Sequence, residues 1–118
     1  LDTWLHLSHH SQEVEKNFRT CHQVDTYAQR VGATSRTLLR MMRDVIGITP
    51  KDFIAYRLNT EAKRLLISTH TPAQQIAFDL GFASAEYFHS FFKKMNKLSP
   101  ADFRKCLSTA PAARPATP

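Results

Sequence analysis

The chain has 118 residues, 42% of them hydrophobic, and sixteen Lys and Arg against ten Asp and Glu give a formal net charge of +6. That length suits one domain with a modest core, and the basic balance favours a polyanion, either nucleic acid or an anionic membrane surface. Two cysteines are too few for a disulfide scaffold, and no apolar run nears the roughly 20 residues that span a bilayer. The first residue is Leu and no signal peptide is visible. The expectation is a cytoplasmic fragment or processed product with reduced thiols and an upstream neighbour.

Residues 1–10 (LDTWLHLSHH) show no clean period and read as the flank of that neighbour, with Trp4 and Leu5 suited to a contact with it. His6, His9 and His10 have no downstream partners to complete a metal site and read as exposed polar filler. Residues 11–22 read as a helix with Val14 and Phe18 at i and i+4. A short helix from about Val24 to Val31 turns Tyr27, Ala28 and Val31 inward, and Gly32 closes it. Thr34 then caps a helix in which Leu38, Met41, Met42 and Val45 recur at i, i+3, i+4 and i+7. Gly47 ends that helix.

Thr49-Pro50-Lys51-Asp52 restarts a helix expected to reach about Ser68, through Phe53, Leu58, Ala62, Leu65 and Leu66. It spans roughly 27 Å at about 1.5 Å per residue. Thr71-Pro72-Ala73-Gln74 reads as a capped start, with Pro in the first helical position and Gln closing a capping box. Ile76, Ala77 and Leu80 form its inward face, and Gly81 ends it where a positive φ costs little. Phe88, Phe91, Phe92 and Met95 then repeat the pattern of a helix buried on one side. Two helices joined by a short turn containing Gly form a helix-turn-helix unit. Ser99-Pro100 starts a last helix. The tail 107–118, with three prolines, reads as disordered. No stretch reads as a strand, so the fold class is all-α.

The two halves match. Ala28–Gly32 lies 49 residues before Ala77–Gly81, and beyond the turn the offset becomes 50, pairing Leu38 with Phe88, Met42 with Phe92 and Arg43 with Lys93. GITPKDF at 47–53 likewise matches KLSPADF at 97–103. The chain therefore carries two helix-turn-helix units with the 50–68 helix between them, and the second turn is one residue longer.

At about 100° per residue, Arg36, Arg40 and Arg43 fall together opposite the apolar side of their helix. Like charges at i, i+4 and i+7 repel, and a polyanion relieves that repulsion. Arg is also the side chain shaped to grip guanine O6 and N7 with two bonds. In the second unit Glu86, Ser90 and Lys93 occupy the equivalent positions, with His89 where Leu39 stands. That face mixes donors and acceptors, and Glu86 suits a cytosine amino group. The first unit is expected to carry most of the sequence-reading energy. A solvated polar surface is the bland alternative for both faces.

The wording YRLNTEAKRLL (56–66) and IAFDLGFASAEYFHSFFKKMNKLSPADFRK (76–105) resembles the DNA-binding domain of the AraC/XylS family of bacterial transcription regulators. An IA…GF…YF…FK…SP…FR series is far more specific than a lone helix-turn-helix. The resemblance covers residues 11–106, with 1–10 as flank and 107–118 as tail. It implies seven helices, two helix-turn-helix subdomains joined by a long linker helix, and recognition helices near 35–45 and 85–95 entering successive major grooves, about 34 Å apart. It places base reading at Arg36, Leu39 and Arg40, and at Ala85, Glu86, His89 and Ser90. An apolar Leu39 suits a thymine methyl. Phosphate contacts are expected at Arg43, Lys93 and Lys94, and at the helix starts around Thr34, Ser35, Thr71 and Ser84. Three departures stand out. Lys97 replaces a usual Gly, so Asn96 is expected to take the left-handed position. Ala83 sits at the usual cap, leaving Ser84 to cap, and Met42 replaces an aromatic.

The implied partners are double-stranded promoter DNA, RNA polymerase and an N-terminal sensor or dimerisation domain, with no membrane and no cofactor. An enzyme is disfavoured: Cys21 and Cys106 are 85 residues apart, unlike the cysteine cluster of the DNA alkylation-repair proteins that share such a domain. No catalytic triad, phosphate loop or carboxylate pair appears either. The remaining alternative is a helical protein–protein interaction module.

Overall fold

The computed structural model describes residues 2–109, and every regular element among them is an α-helix. In chain order these are α1 (Asp2–Asn17), α2 (Val24–Arg30), α3 (Ser35–Val45), α4 (Pro50–Ser68), α5 (Ala73–Asp79), α6 (Ala85–Asn96) and α7 (Pro100–Thr109). The chain forms two units, and the division falls inside α4, between Leu58 and Asn59.

In the first unit α1, α2 and α3 pack on one another. Leu7, Ala28, Leu38 and Met42 form a buried cluster, with Ile48 and Phe53 packed against it. Phe18 and Tyr27 are fully buried, and the Tyr27 hydroxyl donates to the Cys21 carbonyl at 2.7 Å. Arg57 of α4 lies 4.3 Å over the Phe18 ring and makes two bonds to Glu15, of 2.7 and 2.8 Å. The apolar stem and planar head of Arg thus close the core edge and bind α4 to α1.

Residues 2–10, expected as an irregular flank, are the first half of α1. Leu7, His10, Val14 and Phe18 are all buried, a single stripe along α1 continued into the turn after it. The stripe is hidden in the sequence because a histidine occupies one apolar position. His10 is 1% exposed, against the expected polar filler, and packs 5.4 Å from Phe53 and 6.0 Å from Tyr27, ring centre to ring centre. The helix also stops at Asn17, short of residue 22, where the Asn17 amide donates to the Glu13 carbonyl.

The second unit packs α5 and α7 on α6 around Ile76, Leu80, Phe88 and Phe92, with Ala62 and Leu66 of α4 also buried. The repeat holds in detail. Gly32 and Gly81 both take positive φ, 74° and 79°. The residue after each glycine donates back to the equivalent alanine, Ala33 to Ala28 at 2.9 Å and Phe82 to Ala77 at 3.0 Å. Thr49 and Ser99 each cap the following helix at 3.1 Å, onto Asp52 N and Asp102 N. Phe82 stands where the first unit has Ala33, and its ring lies 5.1 Å from both Phe88 and Phe91; the extra residue of the second turn follows it.

Four further details differ from expectation. Thr71 does not cap α5. Pro72, with ψ 147°, is the N-cap residue and has no side-chain bond to offer, while Thr71 N donates to Thr69 Oγ1 at 3.2 Å. Lys97, not Asn96, takes the left-handed position at φ 68°. Asn96 stays helical because its amide pairs with that of Asn59 in both directions, at 2.7 and 3.2 Å. Val45 and Met95 are 50% and 37% exposed, since each lies in the last turn of its helix, where the covering helices no longer reach. Leu107 to Thr109 continue α7, and the rest of the expected tail lies outside the described residues.

Candidate nucleic-acid interface

The helix α3 begins on a side-chain cap, with Thr34 Oγ1 accepting from Thr37 N at 3.1 Å. Burial of Leu38 and Met42 fixes its rotation, leaving Arg36, Arg40 and Arg43 exposed and Leu39 partly covered. Among the described residues none of these three arginines has an ion pair or side-chain hydrogen bond. The other described arginines all have partners. Arg30 pairs with Glu13, Arg57 with Glu15 and Arg64 with Glu61. Arg104 donates to the Leu66 and Thr69 carbonyls, and Arg19 lies over Phe18. Three uncompensated guanidiniums on one helix face make a local concentration of positive potential.

Arg36 and Leu39 line one open groove with Asp25, Ser35 and Lys51. Arg40 opens on a different depression, beside Thr37, Met41 and Asp44. The exposed face of α3 thus borders a depression on either side, with Arg36 and Leu39 toward one and Arg40 toward the other. Lys51 and Asp25 belong to this surface and were missed. Their signal was present, since each stands just inside a helix start that the sequence shows.

In the second unit Ser84 caps α6, accepting from Tyr87 N at 3.0 Å, as expected once Ala83 fills the usual position. Ala85, Glu86, His89 and Ser90 together line a single open depression. Among the described residues Glu86, His89 and Ser90 hold no side-chain hydrogen bond or ion pair. Their donors and acceptors face outward unspent. Lys93 and Lys94 are exposed in the last turn of α6. Ser35 is different: its hydroxyl donates to Asp25, so its one proton is used within the protein. Thr71 presents no helix start, because α5 begins two residues later. No group of three or more His, Cys, Asp or Glu among the described residues is arranged to hold a metal ion, and no described helix is long and apolar enough to cross a membrane.

A family model described as "Helix-turn-helix domain" matches residues 27–106. The chain is 39% identical over 69 residues to the HTH-type transcriptional regulator YisR of Bacillus subtilis, covering 58% of this chain and 24% of YisR. Among solved structures it resembles an AraC-type DNA-binding domain-containing regulator from Chromobacterium violaceum, with TM-score 0.79, 24% identity, and 92% and 96% of the two chains covered. It also resembles the DNA-binding domain of AdpA, solved with a target DNA, with TM-score 0.76, 25% identity, and 90% and 92% covered. The chain spans between a quarter and a half of the length of the first curated relatives it matches. With the doubled unit, the long α4 and the motif series all in place, the chain belongs to the helix-turn-helix domain family, in its AraC/XylS branch.

Proposed function

We propose that this chain is the sequence-specific, double-stranded DNA-binding part of a bacterial transcription regulator, reading two successive major grooves with α3 and α6. The observation that carries this reading is the set of unpaired arginines on α3, in a chain whose other described arginines are all engaged. Arg36 and Arg40 grip guanine edges and Leu39 meets a thymine methyl. In the second unit Glu86 accepts from a cytosine amino group, while His89 and Ser90 meet base edges beside the small Ala85. Thr34, Arg43, Ser84, Lys93 and Lys94 hold phosphates and set the register. The first unit supplies most of the discrimination, because two bidentate arginine contacts outweigh single hydrogen bonds. Promoter DNA in the cytoplasm is the target, with RNA polymerase and a sensor or dimerisation domain as the protein partners. The chain itself has no catalytic role.

Selection of bound duplexes from a random pool tests this. The expected result is a motif of two blocks about one helical turn apart, with the more stringent block under α3. Absence of any enriched motif, together with no duplex binding at low salt, would instead assign the chain to protein–protein contact.

A further inference from the structure

The groove beside Arg36 contains one acid. Asp25, in the first turn of α2, shares it with Ser35, Arg36 and Lys51, and accepts the Ser35 hydroxyl hydrogen bond. Ser35 is the first residue of α3. The bond therefore joins the start of the supporting helix to the start of the helix that carries the unpaired arginines. A carboxylate here stands within a Debye length, about 10 Å at 0.1 M salt, of any phosphate row lying on Arg36. It opposes every duplex equally, whatever the sequence. Its charge works against the surface it occupies and favours only the N-terminal end of α2, so what it contributes to α3 comes through the bond to Ser35.

We propose that Asp25 is a positioning residue for sequence reading: through Ser35 it holds the first turn of α3, and so the direction of Arg36, while its charge lowers affinity for all DNA. The inference rests on the DNA-reading function proposed above. Base-edge hydrogen bonds are directional, whereas phosphate pairing tolerates displacement of a charge. Loosening the first turn of α3 therefore weakens operator binding and leaves non-specific binding nearly intact. The Ser35 hydroxyl acts through Asp25, which leaves the backbone N–H of Ser35 for the phosphate contact expected at this helix start.

Three variants separate the bond from the charge. Ser35→Ala removes the bond and keeps the charge, Asp25→Asn keeps an acceptor oxygen and removes the charge, and Asp25→Ala removes both. Binding is measured by fluorescence anisotropy to the selected operator and to a scrambled duplex across a salt series, with helix content and thermal unfolding of each variant recorded by circular dichroism. For Ser35→Ala the operator affinity should fall about tenfold, the size of one hydrogen bond, with the scrambled duplex unchanged. Asp25→Asn should tighten both duplexes by a similar factor, leaving their ratio near wild type. Asp25→Ala should tighten the scrambled duplex and lower the ratio. A Ser35→Ala ratio within twofold of wild type overturns the proposal, as does an equal loss on both duplexes. A wild-type protein with no preference between the duplexes sinks the DNA-reading function itself, which is a distinguishable failure.

Discussion

Arg40 and His10 mark the two ways a single side chain was readable or hidden. Arg40 was visible because helical periodicity assigns it to the face opposite Leu38 and Met42, and burial of those two bears this out. With a bidentate guanine contact, Arg40→Ala is expected to cost about 1–3 kcal/mol on the operator and relax one base position. A uniform loss on all duplexes would instead assign Arg40 to phosphate. His10 was hidden because its residue type gives no sign of burial, and only the packing of Phe53 and Tyr27 around it does. Burial holds its pKa below the ordinary value of 6.5, and its Nε2 is buried without a hydrogen-bond partner. The folded form therefore binds a proton less readily than the unfolded chain. Stability is expected to fall as pH drops below about 6.5, because the unfolded state gains protons first, and to level off below the folded pKa. Thermal unfolding between pH 8 and 5 checks this: His10→Leu should flatten the decline relative to wild type, and parallel curves would refute it.

Capped helix starts beyond α1 were legible, and α4 stops at Ser68 as its sequence indicated, whereas the start of α1 and the left-handed end of α6 were not. Thr34, Thr49, Ser84 and Ser99 each cap as their sequence context predicts, because a cap is satisfied by atoms three residues away. Thr71 failed for a local reason too, since Pro72 remains extended and carries no side-chain acceptor. The ends of α4 and α6 depend on distant residues. Asn96 is held by Asn59, 37 positions away, which passes the left-handed turn to Lys97. Arg104 of α7 donates to the carbonyls of Leu66 and Thr69 at 3.2 and 3.0 Å, completing the C-terminal end of α4. Arg104→Ala is expected to destabilise the protein by about 1.5–3 kcal/mol, the range for a charge-assisted hydrogen bond. Asn96→Ala should cost about 1–3 kcal/mol by stranding the buried Asn59 amide. Urea unfolding measures both, and changes under half a kcal/mol would show that these bonds are replaced by water.

At the scale of the molecule, the proposed interface is a matter of charge. Each phosphate neutralised changes the slope of log affinity against log salt by about 0.9. Replacing Lys93 and Lys94 together by Ala should therefore reduce the slope by about 1.8 if both meet phosphate, with base preference unaltered. An unchanged slope would remove them from the interface. The all-α class, the two helix-turn-helix units and the repeat were determined by the sequence alone, because each rests on periodicity and turn chemistry acting over a few residues. Tertiary structure decided the rest. It turned residues 2–10 into half of a core helix and committed the Ser35 hydroxyl to Asp25. Among the described residues it also left three arginines unpaired while engaging the other arginines. Pairing is a property of side chains brought together from distant positions, and no local pattern records which charges will find a partner and which will be left for a ligand.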